Sequence, residues 1–120
     1  MNRTTPSVLV VDDDSGLRTL SRIVLQLEGF DVREAANLEQ AEAALAERRP
    51  DVVLLDVHLG HEHSEKLFAR LRAEKIPVAA VTGTADLGDV REWADATLGK
   101  PYDPTELVAL AKRLARVDEA

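Results

Sequence analysis

Val52, Val53, Leu54 and Leu55 stand together with no polar residue among them, and Asp56 ends the run. A strand with one wet face alternates apolar and polar side chains. An uninterrupted run is what a central strand needs when helices cover both of its faces, as in a parallel sheet. Similar short runs recur at Val8 to Val11, Val78 to Val81 and Ala96 to Leu98, with a weaker, alternating stretch from Phe30 to Ala35 that fits an edge strand.

Between these runs the apolar period changes to that of a helix. Leu17, Leu20, Ile23, Val24 and Leu27 recur at spacings of three and four and define one helix face, with Gly29 as its stop. Asn37 and Gln40 form a capping pair ahead of Leu38, Ala41, Ala44 and Leu45. Leu67, Phe68 and Leu71 predict a third helix, and Leu87 to Trp93 has room for two turns at most. Asp103, Pro104, Thr105 and Glu106 read as a helix start with cap, proline and acid in order, followed by Leu107, Leu110, Ala111 and Leu114 to an end near Arg116. Strand and helix thus alternate five times. That pattern predicts an α/β fold of three layers, a doubly wound five-stranded parallel sheet with right-handed crossovers. The expected strand order is the flavodoxin-like 2-1-3-4-5.

At 120 residues the chain fits one domain, residues 1–120. It contains no cysteine, which removes disulfides and thiolate chemistry and points to a reducing, cytoplasmic setting. The apolar runs are too short for a signal sequence or a membrane span. A formal charge of -7, with no basic stripe to offset it, argues against direct binding to nucleic acid or anionic lipid.

Five polar residues follow the ends of separate runs: Asp12, Asp13, Asp56, Thr82 and Lys100. In an open α/β sheet these run-ends converge on one edge, with the switch point between the first and third strands. Three carboxylates there repel one another, by about 4 kcal/mol per pair at 4 Å and an intermediate dielectric. A cation is needed, and an all-oxygen donor set suits Mg²⁺. With the metal and Lys100 the site is near neutral and can accept a phosphoryl group. An aspartate carboxylate can attack phosphorus to form an acyl phosphate, and Asp56, at the end of the central run, is the candidate nucleophile.

The segments VVDDD, VVLLD, VTG and GKP, in this order and spacing, resemble the receiver domain of two-component response regulators over almost the whole chain. The resemblance implies that Asp56 is the phosphoacceptor, supplied by a phosphohistidine. It implies Mg²⁺ on Asp13 directly, on Asp12 mostly through water, and on the backbone carbonyl of His58. Thr82 would hold a phosphoryl oxygen beside a small Gly83, and Lys100 would pair with the phosphoryl group across a cis bond to Pro101. The partners implied are a histidine kinase or histidine phosphotransfer protein and a downstream protein target, the first helix being the expected kinase contact. A stand-alone domain without an output module, chiefly monomeric, is expected.

The chain departs from the family pattern in several places. Gly60 and Ser64 stand where a proline and a glycine are usual, Thr97 stands where a switch aromatic is usual, and the stretch from Thr82 to Lys100 is short. A reshaped loop from His58 to Ser64 and a reduced fourth helix are expected. His58, His61 and His63 lie on one loop without a partner motif and do not make a zinc site. Asp14 and Ser15 read as helix caps, and Trp93 and Tyr102 as packing residues. Two other functions fit parts of the pattern: a haloacid-dehalogenase-like phosphatase using Asp12 as nucleophile, and a receiver-like binding module that signals without phosphorylation.

Overall fold

A computed structural model describes residues 5–59, 62–83 and 90–116. Gly60, His61 and Leu87 lie outside them. The strands are β1 (Ser7–Val11), β2 (Asp31–Ala35), β3 (Val52–Asp56), β4 (His58–Leu59), β5 (Glu62–His63), β6 (Val78–Thr82) and β7 (Ala96–Gly99). The helices are α1 (Ser15–Leu27), α2 (Leu38–Glu47), α3 (Glu65–Ala73), α4 (Val90–Trp93) and α5 (Pro104–Ala115). The main sheet is parallel throughout, in the order β2-β1-β3-β6-β7. Counting only its own strands, this is the expected 2-1-3-4-5.

Both faces of the sheet are covered, which is why each central strand is apolar except at one end, at Ser7 of β1, Asp56 of β3 and Thr82 of β6. Val8, Val10, Val52 and Leu54 point to one face and pack with Leu25 of α1 and Leu107 and Ala111 of α5. Leu9, Val11, Val53 and Leu55 point to the other and pack with Ala41 and Leu45 of α2 and with Leu67, Phe68 and Leu71 of α3. Trp93 of α4 joins this second cluster and tilts against Phe68, ring centroids 5.8 Å apart.

The helix ends follow the local sequence. Asp14 caps α1 by accepting from Leu17 N–H, and Gly29 takes up the positive φ of 94° after its last turn. Asn37 accepts from Gln40 N–H at 2.8 Å, while the Gln40 side chain reaches back to Ala36 N–H rather than to Asn37. Asp103 and Glu106 form a complete capping box with Pro104 in the first turn.

Two features go beyond what the sequence pattern specifies. The stripe Leu17, Leu20, Ile23, Val24 and Leu27 is not the buried face of α1. Ser21 and Leu25 are the buried residues, while Leu20, Ile23 and Leu27 are 46%, 44% and 80% exposed. A buried serine is tolerable there because its hydroxyl is hydrogen-bonded to the Tyr102 hydroxyl at 2.8 Å. Second, the loop after Asp56 contains a small antiparallel ribbon, β4 with β5, in which His58 is paired with His63 and Leu59 with Glu62. Leu59 anchors it, being 3% exposed in the cluster around Phe68.

Candidate functional site

The carboxyl ends of β1, β3, β6 and β7 deliver the five residues to one place. Asp56 is the last residue of β3 and Thr82 the last of β6, both buried. Asp12 follows β1 directly, is 5% exposed, and is fixed by a bond from its own N–H to the Ala35 carbonyl. Asp13 is exposed at the rim. Lys100 follows β7 and is set beside Thr82 by a 2.8 Å bond from its N–H to the Thr82 carbonyl.

The side chains are held by specific donors. Lys100 Nζ lies 2.9 Å from Asp56 Oδ2 and 3.1 Å from Asp12 Oδ2, so one ammonium bridges the two buried carboxylates. Asp56 Oδ1 accepts from His58 N–H at 3.1 Å, and Asp12 Oδ1 from Asp14 N–H at 2.9 Å. Arg18 donates to the Asp12 carbonyl at 2.7 Å and pairs with Glu34 at 3.1 Å, so it steadies the loop rather than the carboxylates. The bond from Lys100 to Pro101 is cis, as the resemblance implies. A Cβ on Gly83 would lie 3.7 Å from Lys100 Cβ, an ordinary contact, so a small residue here is not demanded by space in this state.

Burial raises the Asp56 carboxyl above its ordinary value. The bonds from Lys100 and His58 oppose that rise, and Asp12 adds to it. For Lys100 burial works the other way, but its bonds to Asp56 and Asp12 outweigh burial and raise its value. Desolvation prevails at the carboxyl, which also faces a second carboxylate, and pairing prevails at the ammonium. Burial also raises the Tyr102 phenol, which keeps it a neutral hydrogen-bonding group.

Asp12, Asp13 and Asp56 each offer a carboxylate oxygen within 4.8 Å of the others. Three carboxylate oxygens that face one another across so short a gap would hold a single cation between them, and the all-oxygen donor set matches a hard ion such as Mg²⁺. Because burial raises Asp56, a proton competes for it at a higher pH than for an ordinary aspartate. Mg²⁺ affinity measured by calorimetry is accordingly expected to fall with pH before the ordinary value of 3.8 is reached. An affinity unchanged from neutrality down to that value would contradict a metal site built on Asp56.

Two contacts were not foreseen from sequence. Ser64 donates from its hydroxyl to the Asp56 carbonyl at 2.7 Å, and Tyr102 is bonded to Ser21 as well as packed. Ser21 stands out by neither spacing nor motif, and Ser64 only as a replacement of the usual glycine.

The fold and the clustered acids, threonine and lysine at its strand ends define a doubly wound α/β domain with an acidic pocket at its switch point. The sequence matches the response regulator receiver domain family over residues 8–112, and the chain belongs to that family, which acts in two-component signalling. It is 40% identical over 118 residues to the DNA-binding response regulator MtrA of Mycobacterium tuberculosis strain H37Rv, covering 93% of this chain and 52% of MtrA. It is 31% identical to the phosphate regulon transcriptional regulatory protein PhoB of Pseudomonas aeruginosa PAO1, covering 92% of this chain and 52% of PhoB. The chain thus spans about half the length of the curated relatives it matches. Among solved structures, the receiver domain of NtrX from Brucella abortus superimposes with a TM-score of 0.83 at 27% identity, over 92% of this chain and 99% of that one. A chemotaxis response regulator of Vibrio cholerae gives 0.82 at 26% identity, over 92% and 99%. The receiver match leaves the phosphatase reading without support. Among the described residues, no helix is long and apolar enough to cross a membrane.

Proposed function

We propose that this domain takes a phosphoryl group onto Asp56 from the phosphohistidine of a histidine kinase or histidine phosphotransfer protein. The observation that carries this reading is the bridge of Lys100 across Asp56 and Asp12, beside Asp13 and Thr82. An Asp56 carboxylate oxygen forms the new O–P bond as the P–N bond to the donor imidazole breaks, and the electron pair of that bond leaves with the imidazole. Lys100 then passes from the carboxylate to a phosphoryl oxygen, and the Thr82 hydroxyl donates to another. Asp12, Asp13 and Asp56, with the His58 carbonyl, are the groups that would hold Mg²⁺, which supplies positive charge against the phosphoryl oxygens.

The domain catalyses only its own phosphorylation and dephosphorylation, and it acts through protein contacts. The exposed Leu20, Ile23 and Leu27 of α1 form an apolar face suited to the donor protein. Acetyl phosphate, a small donor that needs no protein contact, separates the chemistry from that docking. With Mg²⁺ present, intact-mass spectrometry is expected to show one added phosphoryl group, absent in EDTA and absent from Asp56→Asn. Persistence of the adduct in Asp56→Asn would contradict the assignment. No adduct on wild type, with no Mg²⁺ binding, would favour a phosphorylation-independent binding module.

A further inference from the structure

Ser64 precedes α3 at the position whose side chain ordinarily caps a helix by accepting an N–H from the first turn. It makes no such bond. Its hydroxyl donates instead to the Asp56 carbonyl, 2.7 Å away and eight residues back in the chain. Ser64 is 1% exposed, so water does not compete for this bond. Its own carbonyl accepts from Phe68 N–H at 2.9 Å. One residue therefore fastens the last residue of β3 to the first turn of α3.

A buried carbonyl needs a donor, and satisfying it is the simpler role for this serine. The consequence lies in what the tie leads to. Phe68, fully buried, meets Trp93 of α4 with ring centroids 5.8 Å apart and planes at 43°. Leu59, from the loop that the Ser64 bond closes, belongs to the same apolar cluster. Close-packed interiors transmit displacement rather than absorb it. Movement of the Asp56 main chain therefore draws Ser64, the start of α3 and the Phe68 ring along with it.

Resting on the reading of Asp56 as phosphoacceptor, we propose that Ser64 is a positioning residue that ties the Asp56 main chain to α3 and, through Phe68, carries the phosphorylation state of Asp56 to Trp93 and α4.

Trp93 is the single tryptophan of the chain, so its emission reports this contact directly. Emission and phosphoryl load are measured on the same samples of wild type, Ser64→Ala and Ser64→Thr, incubated with acetyl phosphate and Mg²⁺ and referred to a donor-free baseline with Mg²⁺. Wild-type emission is expected to change in proportion to load. At equal load the change in Ser64→Ala is expected to be at least roughly two-fold smaller, in line with the coupling lost at such positions. Ser64→Thr, which keeps the hydroxyl, should restore it. A role in stability alone would lower the unfolding midpoint but leave emission change per load unaltered, and that result overturns the proposal. So does a loaded wild type with unchanged emission, a comparison that needs no variant to fold. Wild type that takes up no phosphoryl group overturns the Asp56 assignment instead, and the proposal with it.

Discussion

Lys100→Met is expected to destabilise the metal-free protein by about 3 kcal/mol at neutral pH, the lower end of the cost of removing one partner from a buried ion pair. The ammonium bonds Asp56 at 2.9 Å and Asp12 at 3.1 Å, and the carboxylate side chains are only 8% and 7% exposed. Without it, two buried carboxylates face each other uncompensated. Lys100 itself is 22% exposed, so water relieves part of the cost. Two further outcomes follow from the same electrostatics. Adding Mg²⁺ should recover part of the lost stability, because a cation on the same carboxylates replaces the missing charge. Lowering the pH should also recover part of it. The folded Asp56 carboxyl is raised above its unfolded value and loses a counter-charge in the variant, so the folded state binds a proton at a pH where the unfolded state does not. Stability of the variant therefore rises as pH falls toward that raised value. Urea unfolding with Mg²⁺ or EDTA measures all three effects. A destabilisation under about 1 kcal/mol, the scale of a surface pair, would mean that water already screens the two carboxylates.

Phe68→Ala should cost about 3–5 kcal/mol in the same unfolding experiment, from lost transfer energy plus the cavity left behind. Phe68 is the largest fully buried side chain among the described residues and sits where the β3 face, α3 and α4 meet. For a domain stable by about 5–15 kcal/mol this is a large fraction of the total. The loss should appear together with an altered Trp93 environment, since the indole rests on this ring. Leu20→Ala on α1 is the control: the side chain is 46% exposed, and a change within about 0.5 kcal/mol is expected. Equal costs at the two positions would contradict the division into core and outward faces.

Much of this architecture was legible in the sequence because buried parallel strands are apolar without a break. The runs at Val8 to Val11 and Val78 to Val81 each extend by only one residue, to Ser7 and to Thr82. The convergence of Asp12, Asp13, Asp56, Thr82 and Lys100 followed from strand order alone, since each lies at or just beyond the carboxyl end of a strand. Spacing did not identify the inward face of α1, because its most regular apolar stripe is the outward one. The buried face includes Ser21, whose burial depends on a tyrosine hydroxyl 81 residues away. The ribbon of β4 and β5 has two residues per strand, too few to show a period. The tie from Ser64 to Asp56 is invisible for a related reason: it exists only once the intervening loop closes, and in sequence the serine reads merely as a substitute for a glycine.

The carboxylate that ends β3, rather than one of the two aspartates after β1, is expected to receive the phosphoryl group. The most direct measurement is peptide mapping by tandem mass spectrometry after phosphorylation with acetyl phosphate and Mg²⁺, with the acyl phosphate reduced by borohydride to leave a stable mark on the modified aspartate. The mark is predicted at Asp56 and nowhere else. A mark on Asp12 or Asp13, or one that forms equally when EDTA replaces Mg²⁺, would contradict the assignment to Asp56.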